Sequence, residues 1–199
     1  ASLARLSLDQ EADHLHVHSF ANSAHVAALA RILGGCSYSL TLHGDLDVYG
    51  RDHESKTRDA RFVTCVTAPL KMQVMEKLGL SGSQVHLLWM GVDTDRFRPG
   101  ADRQTRPASE PLRLLSVARL HVNKGHRFAL RAIRQLVNAG VQLQYTIVGD
   151  GPARGEIEQE VLALGLSQFV TLVGTRSESE VLDLLQASPV LLLTSVGLG

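Results

Sequence analysis

Arg119 and Lys124 follow the apolar run Leu112–Val117 and stand where an amphipathic stretch begins. If that run is a strand of a parallel sheet, both cations lie at its carboxyl end, where α/β sheets take their ligands. A helix start adds unpaired N–H donors and a partial positive charge. Together these groups can grip a diphosphate, and a pair of solvated surface cations is the plainer alternative. Gly149-Asp150-Gly151-Pro152 follows the run ending at Val148 and opens another helix. It begins like a dinucleotide fingerprint, but Arg154 stands where the third glycine belongs. Val173 is followed by Gly174-Thr175-Arg176 instead of the acid that would hold a ribose. A tight strand-to-helix turn with Pro152 in the first helical turn fits these residues better.

His14, His16 and His18 alternate along one run and so share a face if it is a strand. With His43 they would supply imidazoles for a metal-dependent hydrolase. The chain's 199 residues fall short of the ~250 of the barrels that use such sets. His43-Gly44 ends the run Ser39–His43, placing an imidazole at a sheet edge where glycine lets the chain turn sharply. That ring suits a sugar hydroxyl or a phosphate, or is a satisfied structural histidine. Asp45-Leu46-Asp47 and Asp93-Thr94-Asp95 resemble acid pairs that hold a divalent metal, but beside turn residues Asp more commonly caps its own backbone. Trp89, Met72, Met75 and Phe62 read as core or interface. Cys36 and Cys65 have no activating neighbours.

Those groups need elements to hold them. Strands are expected over His14–His18, Ser39–His43, Phe62–Thr67, Val85–Leu88, Leu112–Val117, Gln144–Val148, Val170–Val173 and Val190–Thr194. Helices are expected over Ser23–Leu33, Pro69–Leu78, Lys124–Asn138, Ala153–Leu164 and Glu178–Gln186, with Ala1–Gln10 also reading as helix. Alternation of this kind implies right-handed βαβ crossovers and mainly parallel sheets, an α/β fold. Phe97–Pro111, with three prolines and five charged residues, breaks the rhythm. The expected division is residues 1–98, a linker over 99–111, and residues 112–199.

Twenty basic and twenty acidic residues give no net charge, which argues against a nucleic-acid binder. A 44% hydrophobic content excludes disorder as the main state. The longest apolar runs fall far below the ~20 residues of a membrane span, and no signal peptide opens the chain. Two cysteines make no disulfide framework and point to a reducing cytoplasm. The missing first Met and the ending at Gly197-Leu198-Gly199 suggest a piece of a longer protein.

Six segments, taken in order, resemble one family. They are HLHVHSFANSA (His14–Ala24), SLTLHGD (Ser39–Asp45), MGVDTDRFRP (Met90–Pro99), LLSVARLHVNKG (Leu114–Gly125), IVGDGP (Ile147–Pro152) and LVGTRSESEV (Leu172–Val181). They are similar to the retaining glycosyltransferases of GT-B fold, group 1 or family four, of bacterial exopolysaccharide biosynthesis. The resemblance implies two Rossmann-like domains with mainly parallel sheets, both incomplete here: the later part of an acceptor-side domain and the first part of a nucleotide-sugar domain. It implies a catalytic set of His43, Arg119 and Lys124. Arg119 and Lys124 would bind the donor diphosphate, and His43 would approach the donor sugar. Gly149, Gly151, Val173 and Gly174 would lie along the nucleotide. His16 and His18 would be supporting or structural, and Asp93 and Phe97 would pack at a hinge.

The implied reaction moves a sugar from a nucleoside-diphosphate sugar to a hydroxyl with retention, using no metal and no cofactor. The implied partners are that donor and a sugar or lipid-linked acceptor. The implied place is the cytoplasm or the inner face of the cell membrane, with peripheral membrane association left open. The family's early glycine-rich loop and later glutamate pair are not in this sequence, so the chain alone is expected to be inactive. A metal-dependent hydrolase built on the histidines, and a non-catalytic nucleotide- or sugar-binding module, are the alternatives.

Overall fold

Runs of alternating or wholly apolar residues pair into two parallel sheets, each with its own core. The structure is a computed structural model and describes residues 2–99 and 110–196. Most of the linker expected over 99–111, and the terminal residues 197–199, lie outside the described residues. The chain divides into two compact units, Ala1–Val92 and Asp93–Gly199.

In the first unit the order is α1 (Ser2–Asp9), β1 (His14–Val17), α2 (Asn22–Ile32), β2 (Ser37–Leu42), a 3-10 turn (Leu46–Tyr49), α3 (His53–Thr57), β3 (Ala60–Cys65), α4 (Ala68–Leu78) and β4 (Val85–Leu87). The strands pair in parallel in the order β1-β2-β3-β4. Successive β2 residues point to opposite faces, so Tyr38, Leu40 and Leu42 enter the core with Phe20, Val63, Cys65, Val74 and Val85. Ala24, Ala27 and Ala28 give α2 a face small enough to lie close to that core. Of the other β2 residues, Ser37 and Ser39 stand in register with His14 and His16 on β1, and Thr41 with Thr64 on β3. β3 ends two residues sooner than the sequence suggested because Thr67 caps α4, its hydroxyl accepting the Leu70 N–H at 3.3 Å.

The second unit runs β5 (Leu112–Val117), a 3-10 turn (Val122–Lys124), α5 (His126–Asn138), β6 (Leu143–Val148), α6 (Arg154–Ala163), β7 (Val170–Gly174), α7 (Glu178–Ala187) and β8 (Val190–Leu191). Its strands are again parallel, in the order β7-β6-β5-β8. The order reverses at β5, because the chain builds outward through β6 and β7 and then returns to β5's other side. Crevices open at such reversals, outside the carboxyl ends of the strands. Leu114, Leu130, Ile133, Tyr145, Ile147, Ile157 and Leu166 form the core.

Three differences from the sequence reading have physical causes. α5 starts at His126 and not at Lys124, because Gly125 takes φ +63° and interrupts the helix, leaving Lys124 in the preceding 3-10 turn. The short α3 and the 3-10 turn at Leu46–Tyr49 carry too few residues for a period to show. β8 pairs only through Leu114↔Val190 and Leu115↔Leu191 before the chain leaves the sheet. Its departure is held by Ser116, whose hydroxyl donates to the Leu192 carbonyl at 2.8 Å and receives the Tyr145 hydroxyl at 2.7 Å.

Both hydroxyls are buried, so each lost bond leaves a desolvated group. Ser116→Ala should lower stability by about 1–3 kcal/mol, read from the urea midpoint. An unchanged midpoint would show that this link carries no stability.

Candidate functional site

Four segments meet at the carboxyl edge of the second sheet. After β5 the chain passes Ala118, Arg119 and Leu120. After β6 it passes Gly149-Asp150-Gly151. Gly174 ends β7, and Thr194 follows β8. Leu120 N–H donates to the Asp150 carbonyl at 2.9 Å, and Ala153 N–H donates to the Leu120 carbonyl at 3.0 Å. Gly149 N–H donates to the Gly174 carbonyl at 2.9 Å. A Cβ on Gly149 would overlap the Ala118 carbonyl oxygen, and one on Gly151 would overlap that of Leu120. Gly149 also takes φ +131°, which L side chains rarely adopt. Gly125 is as tightly placed: a Cβ there would overlap the Thr194 carbonyl oxygen. The Thr194 hydroxyl lies 3.1 Å from the carbonyl oxygens of both Lys124 and Gly125, and Val196 N–H donates to the Asn123 carbonyl at 2.9 Å.

The structure therefore brings together Arg119, Lys124, Gly149, Gly151 and Gly174, with Val173 beside Gly174 on β7. Arg119 is exposed and Lys124 half-buried. Among the described residues neither makes an ion pair, whereas Arg154 on the same edge is neutralised by Asp150 at 3.3 Å and Glu158 at 2.8 Å. Two uncompensated cations beside a strand-order reversal can take an anion with at least two negative charges. Asp150 is occupied locally, its other oxygen accepting the Gly151 N–H at 2.7 Å.

His126 lies at the first position of α5 and is buried, and neither ring nitrogen has a hydrogen-bond partner. Burial holds its pKa below the usual imidazole value, and the Lys124 charge adds to the lowering. The sequence reading passed over this residue. Its signal was the spacing His126, Ala129, Leu130 and Ile133, which puts an imidazole on the buried stripe of α5. The crossing of Gly125 with Thr194 has no sequence signal, because a backbone contact between distant segments leaves no local pattern.

His43 belongs to the first unit, just past β2, and is exposed. Its N–H donates to the Tyr49 hydroxyl at 2.9 Å, and its ring centre lies 5.7 Å from that of His18. The neighbouring histidines do not converge as metal ligands. Both ring nitrogens of His14 bond hydroxyls, Ser37 and Ser39, each at 2.7 Å. Both nitrogens of His16 do likewise, to Ser39 at 2.6 Å and Thr41 at 2.7 Å. Among the described residues no three His, Cys, Asp or Glu side chains are arranged to hold a metal ion. The acid pairs behave as turn caps and surface ions: Asp93 accepts the N–H groups of Asp95 and Arg96 at 3.0 and 3.1 Å, and Asp47 pairs with Lys77 at 3.4 Å.

Known proteins match both units. The family described as Glycosyltransferase Family 4 matches residues 1–96, and that described as Glycosyl transferases group 1 matches residues 98–196. The second unit belongs to the group 1 glycosyl transferases, and the first to Glycosyltransferase Family 4. WcaL of Escherichia coli K12, named for colanic acid biosynthesis, is 34% identical over 122 residues, 61% of this chain and 29% of that protein. The amylovoran biosynthesis glycosyltransferase AmsK of Erwinia amylovora is 31% identical over 120 residues, 60% of this chain and 28% of that protein. These matches thus span under a third of those relatives.

Among solved structures, HepE of Anabaena in complex with UDP aligns with TM-score 0.79 at 18% identity, covering 98% of this chain and 57% of that one. Sucrose-phosphate synthase of Thermosynechococcus elongatus aligns with TM-score 0.77 at 23% identity, covering 98% and 54%. The two α/β units thus carry the GT-B glycosyltransferase fold. Among the described residues, no helix is long and apolar enough to cross a membrane.

The buried imidazole gives a pH dependence of known sign. With its folded pKa lowered, His126 stays neutral in the native chain while the unfolded chain takes up a proton below about pH 6.5. The second unit should therefore lose stability as pH falls through and below that value, and His126→Leu should flatten the slope. A slope unchanged in His126→Leu, measured by urea melts from pH 7.5 to 5, would contradict this.

Proposed function

We propose that the whole protein carrying this chain transfers a sugar from a nucleoside-diphosphate sugar to a hydroxyl acceptor, with retention of anomeric configuration. The observation that carries this reading is the pair Arg119 and Lys124. Both lack a counter-ion among the described residues, and both follow the strand where the sheet order reverses. As the sugar leaves, negative charge grows on the departing diphosphate. Fixed cations there stabilise the transition state more than the ground state. Arg119 and Lys124 do this in place of a divalent metal, and no other cofactor takes part. The Gly149–Gly151 turn follows the nucleotide, and Val173 and Gly174 flank its base with backbone groups. His43 meets the donor sugar.

HepE, solved with UDP, and a structurally similar pneumococcal O-GlcNAc transferase, solved with UDP and GlcNAc, make a UDP-sugar the first donor to test. The relatives named for colanic acid and amylovoran biosynthesis point to a hexosyltransferase of exopolysaccharide or related glycoconjugate assembly. Its acceptor is then a sugar or lipid-linked sugar, met in the cytoplasm at the inner face of the membrane. Residues 1–98 form the acceptor side and 112–199 the donor side in this reading, joined through 99–111.

Arg119→Ala and Lys124→Ala should each reduce sugar transfer by roughly 10²–10³-fold, as for loss of one transition-state electrostatic contact. Transfer should be indifferent to EDTA, and NMR should find the donor's anomeric configuration in the product. Unchanged transfer in both variants would overturn the assignment of the cations. An inverted product would overturn retention, and loss of activity in EDTA would overturn the metal-free mechanism.

A further inference from the structure

We propose that Tyr49, anchored by the buried Lys56, is a positioning residue that sets the place of His43. The proposal rests on the reading that His43 meets the donor sugar, and it concerns how the first unit holds that ring. β2 ends at Leu42, so the strand ladder does not hold the His43 amide. The amide donates instead to the Tyr49 hydroxyl at 2.9 Å. Gly44 follows, the residue type least able to fix the chain by itself. The position of His43 therefore depends on where the Tyr49 ring stands.

Tyr49 is held from two sides. Its ring packs perpendicular to that of Phe20, with centres 5.8 Å apart and planes at 85°. Its backbone carbonyl accepts Lys56 Nζ at 2.9 Å. Lys56 is fully buried and makes no ion pair with a carboxylate among the described residues. Its ammonium lies 4.8 Å from the Phe20 ring centre and 3.5 Å from His53 Nδ1, and its own carbonyl accepts the Tyr38 hydroxyl at 2.9 Å. A buried cation is costly to keep, and its direct bond here goes to the turn that carries Tyr49. The chain of contacts runs Tyr38, Lys56, Tyr49, His43, from the buried start of β2 round to the residue beyond its end.

Misplacement of a reacting group by about 1 Å can reduce a rate by roughly 10²-fold. Tyr49→Phe keeps the ring and its packing on Phe20 and removes only the oxygen. In the whole protein it should lower kcat by about 10–100-fold while KM for the donor changes less than about twofold. On this chain it should speed hydrogen exchange of the His43 amide about tenfold or more, with the melting curve little changed. Lys56→Met, which keeps a buried stem and loses the donor, should follow the same pattern, with Lys56→Arg milder. If Lys56→Met does not fold, Tyr49→Phe carries the test.

Because Tyr49 acts through His43, Tyr49→Phe should add little to the loss already caused by His43→Gln. Wild-type kcat in Tyr49→Phe, with His43→Gln strongly impaired, would overturn the positioning role and leave the function of His43 intact. An undiminished Tyr49→Phe effect in the His43→Gln background would show a structural role and overturn it too. Wild-type kcat in His43→Gln would overturn the reading of His43 itself.

Discussion

At three places on the carboxyl edge of the second sheet, two stretches of backbone lie too close for a Cβ atom between them. Those places are Gly125 against Thr194, Gly149 against Ala118, and Gly151 against Leu120. Each contact joins segments that follow different strands, so together they lock the turns after β5, β6 and β8 into one rim. The locking has a local cost, since glycine surrenders the most backbone freedom on folding. In return the turn between Ala118 and Lys124 has a fixed course, and the backbone from which Arg119 and Lys124 project is fixed with it. The proposed stabilisation of a leaving diphosphate needs charges in place before the reaction, and a rigid rim is suited to hold them.

The first unit solves a related problem with different means. Its sheet ends at Leu42, one residue short of His43, and no glycine crossing holds the next turn. A buried ammonium, an aromatic edge contact and one tyrosine hydroxyl do so instead. On the opposite face of that sheet from the apolar core, His14 and His16 are tied by both ring nitrogens to Ser37, Ser39 and Thr41. Those bonds satisfy polar groups along a strand face and leave the rings without free nitrogens for a metal.

How much of this was legible in the sequence depends on the range of the interaction. Strands and long helices came from periodicity, which a buried face imposes on every second or every third to fourth residue. The rhythm of β6, α6 and β7 therefore read through to the structure within a residue or two. Arg119 stands just past a strand end, as its place after Leu112–Val117 suggested, whereas Lys124 stands in a 3-10 turn and not at the expected helix start. The α5 boundary was not legible, because Gly125 breaks the helix by its left-handed φ at a place where it also lies against Thr194, 69 residues away. Lys56 reads in sequence as an ordinary surface cation, and only the fold shows it buried beneath Phe20 and Tyr49. Gly149 and Gly151 were expected to be needed for a nucleotide, and the structure shows an additional reason in the chain's own backbone.

In the proposed function the rim of the second unit takes a nucleoside diphosphate on Arg119 and Lys124 without a metal. The most direct test is an NMR titration of this chain with UDP, GDP and ADP in the presence of EDTA. The account predicts that one of them shifts the backbone amides of residues 118–125, 149–151 and 173–174 in a saturable way. It also predicts that the shifts disappear in the Arg119→Ala, Lys124→Ala double variant. Shifts that require a divalent cation, that lie elsewhere in the chain, or that persist in the double variant would contradict it.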